Sequence, residues 1–400
     1  MGLLTLLLLS FSAASQRVYV TGLVKDLQND EPVPFASVQF LKSGIGTLSD
    51  SAGNFSFYIN EFSPDSLLVS SVGFKRFATF IKTPRDTVRI LAYLEKGNFS
   101  NEVIVKAKVG NKGLLIWKRI VKHKPENDRA RFENYGYELY NKLEIDWNKF
   151  NKDKAKKIPL LKSFSFVFDN VDSSETAPFL PVYLTETLSD YYFQRSPKKF
   201  KEVIKAQKAD GIENESMSKM LGGMYQNVNV YNNFIPVFDK DFASPLSDHG
   251  DVYYNYKVAD TQQIGGRRFY HLIFAPRHKG ENAFDGECYV DGLNYAIKKI
   301  TLKLPPDANV NHIEQLSMIQ EFTLFNDSTW FLTRDKFVAD FYLVGKKTLN
   351  FKGRKNTTYR NILINDSLIT DTLLLAKTKE EIVVQDSSRL HDAAFWEEHR

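Results

Sequence analysis

The sequence predicts a mainly β protein, with an N-terminal β-sandwich followed by a curved antiparallel sheet domain with helices. Three observations predict this. Aromatic residues make up 14% of the chain, with 31 Phe and 19 Tyr, and aromatic side chains favour pleated, half-buried surfaces. Short apolar runs separated by turn residues fill positions 17–95. From Tyr135 onward the apolar period is two, and turn residues recur between the runs.

A length of 400 residues suits two or three domains. Hydrophobic residues at 43% and charged residues at 25% are an ordinary globular balance. The net charge of +5, from 53 basic and 48 acidic side chains, is too small an excess to indicate a nucleic-acid partner. Cys288 is the one cysteine, which excludes an intramolecular disulfide and a cysteine-cluster zinc site. A lone thiol suits a bacterial envelope better than a disulfide-stapled ectodomain.

Residues 1–15, MGLLTLLLLSFSAAS, read as a secretory signal. Leu3–Leu9 form a short apolar core broken by Thr5, and Ala13-Ala14-Ser15 supply small residues for cleavage before Gln16. No Lys or Arg precedes the core, which fits a start further upstream or a weak signal. The run is too short for a comfortable membrane span, and no cysteine follows it for lipid anchoring. No later segment is long and apolar enough for a transmembrane helix.

In the first domain, expected over residues 16–95, Val18, Val20 and Leu23-Val24 mark a strand, 26–34 a turn-rich loop and 36–41 a second strand. Asp50-Ser51-Ala52-Gly53 places Asp first and Gly fourth, as a type I turn prefers. Phe55, Phe57 and Ile59 then share one face, with Ser56 and Tyr58 on the other, so residues 46–57 read as a β-hairpin. Asp50 and Asn54 offer too few oxygens, wrongly spaced, for a calcium loop. Further strands fall at 67–72, 75–81 and 88–94, the pattern of a sandwich.

Four motifs in order carry a resemblance. They are Thr21-Gly22-x-Val24-x-Asp26, Pro32-Val33-Pro34-Phe35-Ala36-x-Val38, Gly46-Thr47-x-x-Asp50-x-x-Gly53-x-Phe55 and Val69-Ser70-x-Val72-Gly73-Phe74. Together they resemble the carboxypeptidase-regulatory-like domain, a transthyretin-like sandwich that often begins outer-membrane proteins of Bacteroidetes-type bacteria. The resemblance implies structural roles for Gly22, Asp26, Pro34, Ala36, Asp50, Gly53, Phe55 and Gly73, and no peptidase activity.

Residues 96–111 read as a polar linker around Val103–Val109. Helical periodicity follows at 112–123, with Leu114, Trp117 and Val121 on one face, Ile116 and Ile120 beside it, and Pro125 as the stop. Tyr135–Trp147 is a long amphipathic strand. Residues 151–157, NKDKAKK, are a solvated basic loop. Met217, Met220 and Met224 share a helical face within a lysine-rich middle, and core is the favoured reading over an adaptable groove. Strands follow at 252–258, 269–274, 287–290, 296–304, 322–325, 330–333 and 336–344, an antiparallel meander within a domain spanning 112–385. Residues 386–400 end in a helix, DAAFWEEHR, with no Gly or Pro terminator. Such an end is expected of a chain that continues beyond Arg400.

Pro276-Arg277 before Phe284-x-Gly286, Asp291 before Tyr295, and the Trp330 strand resemble a second family. This is the DUF5686-like group of Bacteroidetes envelope proteins, which pair the regulatory-like domain with a sheet domain and usually continue into an outer-membrane barrel.

No catalytic constellation is visible. There is no His-Glu-x-x-His, no Gly-x-Ser-x-Gly elbow and no phosphate loop; Gly222-Gly223 and Gly265-Gly266 build none. His271 and His278 have no carboxylate at zinc-ligand spacing, and all seven histidines read as surface or satisfied. Cys288 reads as a small buried thiol. Asp239, Asp241 and Asp248 read as a solvated acidic turn rather than a weak calcium site.

The expectation is therefore a non-enzymatic, exported protein of the periplasm or outer membrane, with no cofactor and no metal. The resemblance implies partnership with the outer membrane or an outer-membrane protein. Lipid and glycan are candidate ligands, and nucleic acid is not. A periplasmic lipid or lipoprotein carrier and an N-terminal extension of a TonB-dependent receptor are the alternatives.

Overall fold

The computed structural model describes residues 17–33, 36–43, 45–50, 52–60, 62–71, 74–82, 86–95, 112–148, 180–211, 228–238, 240–308, 310–325, 329–342 and 350–399. The segments expected to be a signal (1–15), a linker (96–111) and a basic loop (151–157), and the three methionines, lie outside them. The chain divides into two compact units, Met1–Glu102 with Gln262–Arg267, and Val103–Thr261 with Arg268–Arg400.

The first unit contains β1 (Val18–Asp26), β2 (Ser37–Phe40), β3 (Ile45–Leu48), β4 (Asn54–Ile59), β5 (Asp65–Ser70), β6 (Phe77–Ile81) and β7 (Thr87–Leu94). One sheet is ordered β4-β1-β7, with β1 antiparallel to β4 and parallel to β7. The other strands run β3-β2-β5-β6, all antiparallel. Val18, Val20, Val38, Phe55, Leu67 and Val69 are among the residues that fill the core between them. This is the expected sandwich.

The hairpin expected over 46–57 is corrected. Asp50–Gly53 is a turn, closed by Gly53 N–H donating to the Asp50 carbonyl at 3.1 Å, with Gly53 at φ +79°. The strands it joins lie in different sheets, β3 beside β2 and β4 beside β1. Turn residues specify a local reversal and leave open which neighbour supplies the free edge.

The second unit begins with α1 (Lys112–Asn127), β8 (Asn134–Asn148), β9 (Leu180–Gln194), β10 (Lys199–Gly211), the hairpin β11 (Phe234–Val237) and β12 (Lys240–Ala243), and the single turn α2 (Gly250–Tyr253). It continues with β13 (Tyr254–Ile264), β14 (Arg267–Pro276), β15 (Asp285–Asp291), β16 (Ile297–Lys303), β17 (Ile313–Phe325), β18 (Thr329–Tyr342), β19 (Asn350–Ile364), α3 (Ser367–Leu374), β20 (Glu380–Val384) and α4 (Ala393–His399). The strands are ordered β20-β10-β9-β8-β19-β18-β17-β16-β15-β14-β13. Neighbours from β14 round to β10 are antiparallel, and β20 joins β10 in parallel.

Several expectations shift. The strand expected from Val252 begins at Tyr254, because 250–253 form a helical turn. The runs expected at 330–333 and 336–344 are one strand, β18 (Thr329–Tyr342), which continues through Arg334 and the buried Asp335 between them. β9 and β10 were hidden in the sequence because their apolar residues change parity, from Leu180, Val182, Leu184 and Leu188 to Tyr191 and Phe193 on β9 and from Phe200 to Val203 on β10. The helix passes Pro125, since that residue removes only its own donor while Asp128 N–H still reaches the Lys124 carbonyl at 2.9 Å. Its buried face is Gly113, Ile116, Trp117 and Ile120, with Trp117 stacked on Tyr256 at 5.6 Å, while Leu114 and Val121 are half-buried.

Candidate functional site

The motif residues of the first unit set backbone geometry. Gly22 lies opposite Phe55 on β4, and a Cβ there would meet the Ile90 carbonyl oxygen at 1.9 Å and the Phe55 ring at 2.6 Å. Asp50 carboxylate Oδ1 accepts N–H bonds from Ala52 at 2.9 Å and Asn54 at 2.8 Å. The Gly53 carbonyl accepts from Val24 N–H at 2.9 Å. Asp26, buried, caps its own turn by accepting from Gln28 N–H at 2.9 Å. Ala36 N–H donates to Ser49 Oγ at 2.8 Å, and that hydroxyl donates to the Val33 carbonyl at 3.0 Å. The structure brings Gly22 to Phe55 and Asp50 to Gly53; Pro34 and Gly73 lie outside the described residues.

In the second unit, register gathers an aromatic face. Tyr137 on β8 stacks on Tyr191 of β9 at 5.0 Å, and Tyr191 continues to Phe200 of β10 at 5.8 Å. Tyr359 of β19 meets Tyr137 edge-on at 5.0 Å, and Tyr135 stacks on Phe193 at 4.9 Å. Phe331 of β18 touches Tyr135 and Tyr137 at 5.9 and 6.2 Å.

Arg129, in the short 3-10 turn after α1, places its charge among these rings. Burial pushes the hydroxyls of Tyr135, Tyr137, Tyr191 and Tyr359 up, and the guanidinium opposes that rise. Asp335 and Lys355, diagonal neighbours on β18 and β19, are buried beside them. Burial raises the carboxyl and lowers the ammonium, and each partner's charge offsets part of the shift. These rings pack against one another, and Tyr135, Tyr137, Phe331 and Tyr359 are buried. The adjoining crevice, lined by Asn127, Arg129, Tyr231, Gln320, Phe322 and Trp330 among others, has room for about one water molecule.

His271 of β14 lies between carboxylates that the sequence spacing does not reveal. Its Nε2 meets Glu287 of β15 at 2.8 Å and its Nδ1 meets Asp260 of β13 at 3.5 Å, while the ring stacks on Tyr289 at 4.6 Å. Burial works to lower its pKa, but the two carboxylates outweigh burial and raise it to about 9. On β16, burial pulls Lys299 and Lys303 down to about 8 each. Cys288 is buried and its thiol is pushed up by burial. Among the described residues no group of three or more His, Cys, Asp or Glu is arranged to hold a metal ion.

The acidic turn reading also changes. Lys240–Ala243 is a strand, and Asp248 is held by Lys124 at 3.0 Å and Asn233 at 3.1 Å. Asp239 lies outside the described residues.

Family models match both units. The CarboxypepD_reg-like domain matches residues 20–105. The family of unknown function DUF5686 matches residues 116–362, more than half the chain, and the protein belongs to that family. No curated protein matches the sequence. Among solved structures, a domain described as an outer membrane lipoprotein-sorting protein from Vibrio parahaemolyticus is 10% identical, with a TM-score of 0.26, covering 66% of this chain and 98% of that one. A LolA superfamily protein from Nitrosomonas europaea is 9% identical, with a TM-score of 0.23, covering 64% and 94%. TM-scores this low bear on neither fold nor function.

Proposed function

We propose that the protein is a non-catalytic component of the bacterial cell envelope, exported and associated with the outer membrane. The sandwich serves as a binding or docking module, and the sheet unit serves or assembles an outer-membrane barrel. The observation that carries the reading is the order of the two family matches, a regulatory-like domain and then a DUF5686 region. His271 is engaged at both ring nitrogens, by Glu287 at 2.8 Å and Asp260 at 3.5 Å, which suits a structural clamp. The pairing of a regulatory-like domain with a DUF5686 region supports the envelope assignment.

The test is an immunoblot of fractionated native cells with antibody against residues 16–95. The outer-membrane fraction should hold the band. A band confined to the soluble periplasm would remove the barrel association and favour a free-standing binding protein. Any chelator-sensitive peptidase activity that purifies with the chain would overturn the non-catalytic reading.

A lipid or lipoprotein carrier is the second reading; the aromatic cluster around Arg129 is buried, and the crevice beside it holds about one water molecule, so an acyl chain would have to part these strands. Organic extraction of the purified protein should release an acyl chain if this reading holds. The receptor-extension alternative has no supporting observation, since residues 116–362 match a different family.

A further inference from the structure

α1 has a second face. Ile116, Trp117 and Ile120 are buried and fix the helix, which turns Leu115, Lys118, Arg119 and Lys122 outward. From Lys112 to Pro125 there is no acidic residue, and the helix's one carboxylate, Glu126 in its last turn, is paired with His123 Nδ1 at 2.9 Å. A solvated helix face commonly alternates charge sign, whereas this one sets four cations against the single carboxylate of Glu126. Leu115 is 58% exposed amid these cations.

The turn after β15 is bound to the same helix. Arg119 donates to Tyr295 Oη at 3.2 Å with its guanidinium 5.4 Å from the ring centroid. His123 stacks on Tyr295 at 5.4 Å, and Asn127 Nδ2 donates to the Asn294 carbonyl at 2.9 Å. Tyr270 lies parallel to Tyr295 at 6.5 Å, and the Lys112 ammonium sits 5.7 Å from its centroid. These contacts hold Leu293, 74% exposed, on the turn beside the helix. The result is a fixed, predominantly basic surface, its one carboxylate Glu126 bonded to His123, edged by tyrosines and carrying two exposed leucines.

We propose that this surface docks on an anionic lipid leaflet. Lys112, Lys118, Arg119 and Lys122 meet phosphate headgroups, and Leu115 and Leu293 reach the acyl boundary. Charge complementarity supplies the attraction, falling off within a Debye length, and the leucines favour a bilayer over a soluble polyanion. Tyrosines suit the headgroup level, with an apolar ring and a polar tip. The helix needs no rearrangement, because its apolar face is already buried in its own unit. The inference deepens the outer-membrane reading by naming a lipid surface as partner. Its test uses purified chain, so it can fail while the cell fractionation succeeds.

The experiment is flotation of the full chain with phosphatidylcholine vesicles, with and without a minority of phosphatidylglycerol. Binding should require phosphatidylglycerol and weaken with salt. The pair Lys118→Gln and Lys122→Gln should lose about five-fold in affinity per charge removed. The pair Leu115→Ser and Leu293→Ser should also weaken vesicle binding while leaving heparin binding unchanged. All four sites are exposed, so a thermal melt should match the parent chain. Equal binding to neutral vesicles would overturn the proposal, as would insensitivity to the lysine pair. Loss of vesicle binding to heparin competition with no effect of the leucine pair would mean a polyanion site and would also overturn it.

Discussion

Gly22 has no room for a methyl group. β1 is flanked by β4 and β7, and the obstacle at 1.9 Å is backbone, so Gly22→Ala must move a strand. The expected cost is about 3 kcal/mol or more. Hydrogen exchange of peptides from 18–94 should show it, whereas tryptophan fluorescence reports only the second unit, which holds all four tryptophans.

His271 makes a pH-dependent contribution. Its pKa rises from 6.5 to about 9 on folding, so its stabilisation is full below about 6.5 and is lost as pH climbs through 9. Lys299 and Lys303 act in the opposite sense. Held down to about 8, they carry a burial penalty that lifts as pH rises from there toward 10.5. The difference between the parent and His271→Gln therefore isolates the histidine. In urea melts the gap should be widest near pH 6 and close towards pH 9. A constant gap would mean the ring contributes by packing alone. None of this was legible in the sequence, because Asp260, His271 and Glu287 sit on three strands and only register unites them.

At the scale of elements, legibility followed the hydrophobic pattern. β8 alternates strictly enough to be read from Tyr135 to Trp147, and the strands read at 322–325 and 330–333 fall at the facing ends of β17 and β18, where Leu324 pairs with Trp330. β9 and β10 were not, because their apolar residues change parity part-way along, and on β10 the register also shifts between Ile204 and Ala206. The aromatic face was half legible. The parity of Tyr135 and Tyr137 is plain, but Tyr191, Phe331 and Tyr359 join them through pairings between distant strands, and Arg129 sits in a turn with no periodic signature. Tyr137 is the centre of that face, touching Tyr135, Tyr191, Phe331 and Tyr359. Tyr137→Ala should cost about 3–5 kcal/mol by the usual scale for large aromatic truncations, read by tryptophan fluorescence in denaturant. Tyr137→Phe should stay close to the parent, because the stacking area is retained.

For the molecule as a whole, the sequence reading named the β class and the sandwich-then-sheet order, which the pattern of turns dictates. It could not order the large sheet. β19 lies between β8 and β18, pairing Phe351 with Trp147 across more than half the chain. No local signal encodes such a contact, and long-range pairings of this kind fold slowly. Deleting 350–364 should split the second unit's sheet in two. The fluorescence of Trp147, opposite Phe351, should shift to that of a solvated indole. The sandwich peptides of the same protein should keep their exchange protection, since their core residues come from the first unit.

Cys288 sits in β15, between β14 and β16, with no exposed surface. As the chain's only thiol, it is a native stopwatch for the large sheet. An alkylating reagent can reach it only when β15 comes free. The labelling rate, followed by mass alone, therefore times how often the untagged wild-type sheet opens, and a bound partner that clamps this part of the sheet would be seen as a slower clock.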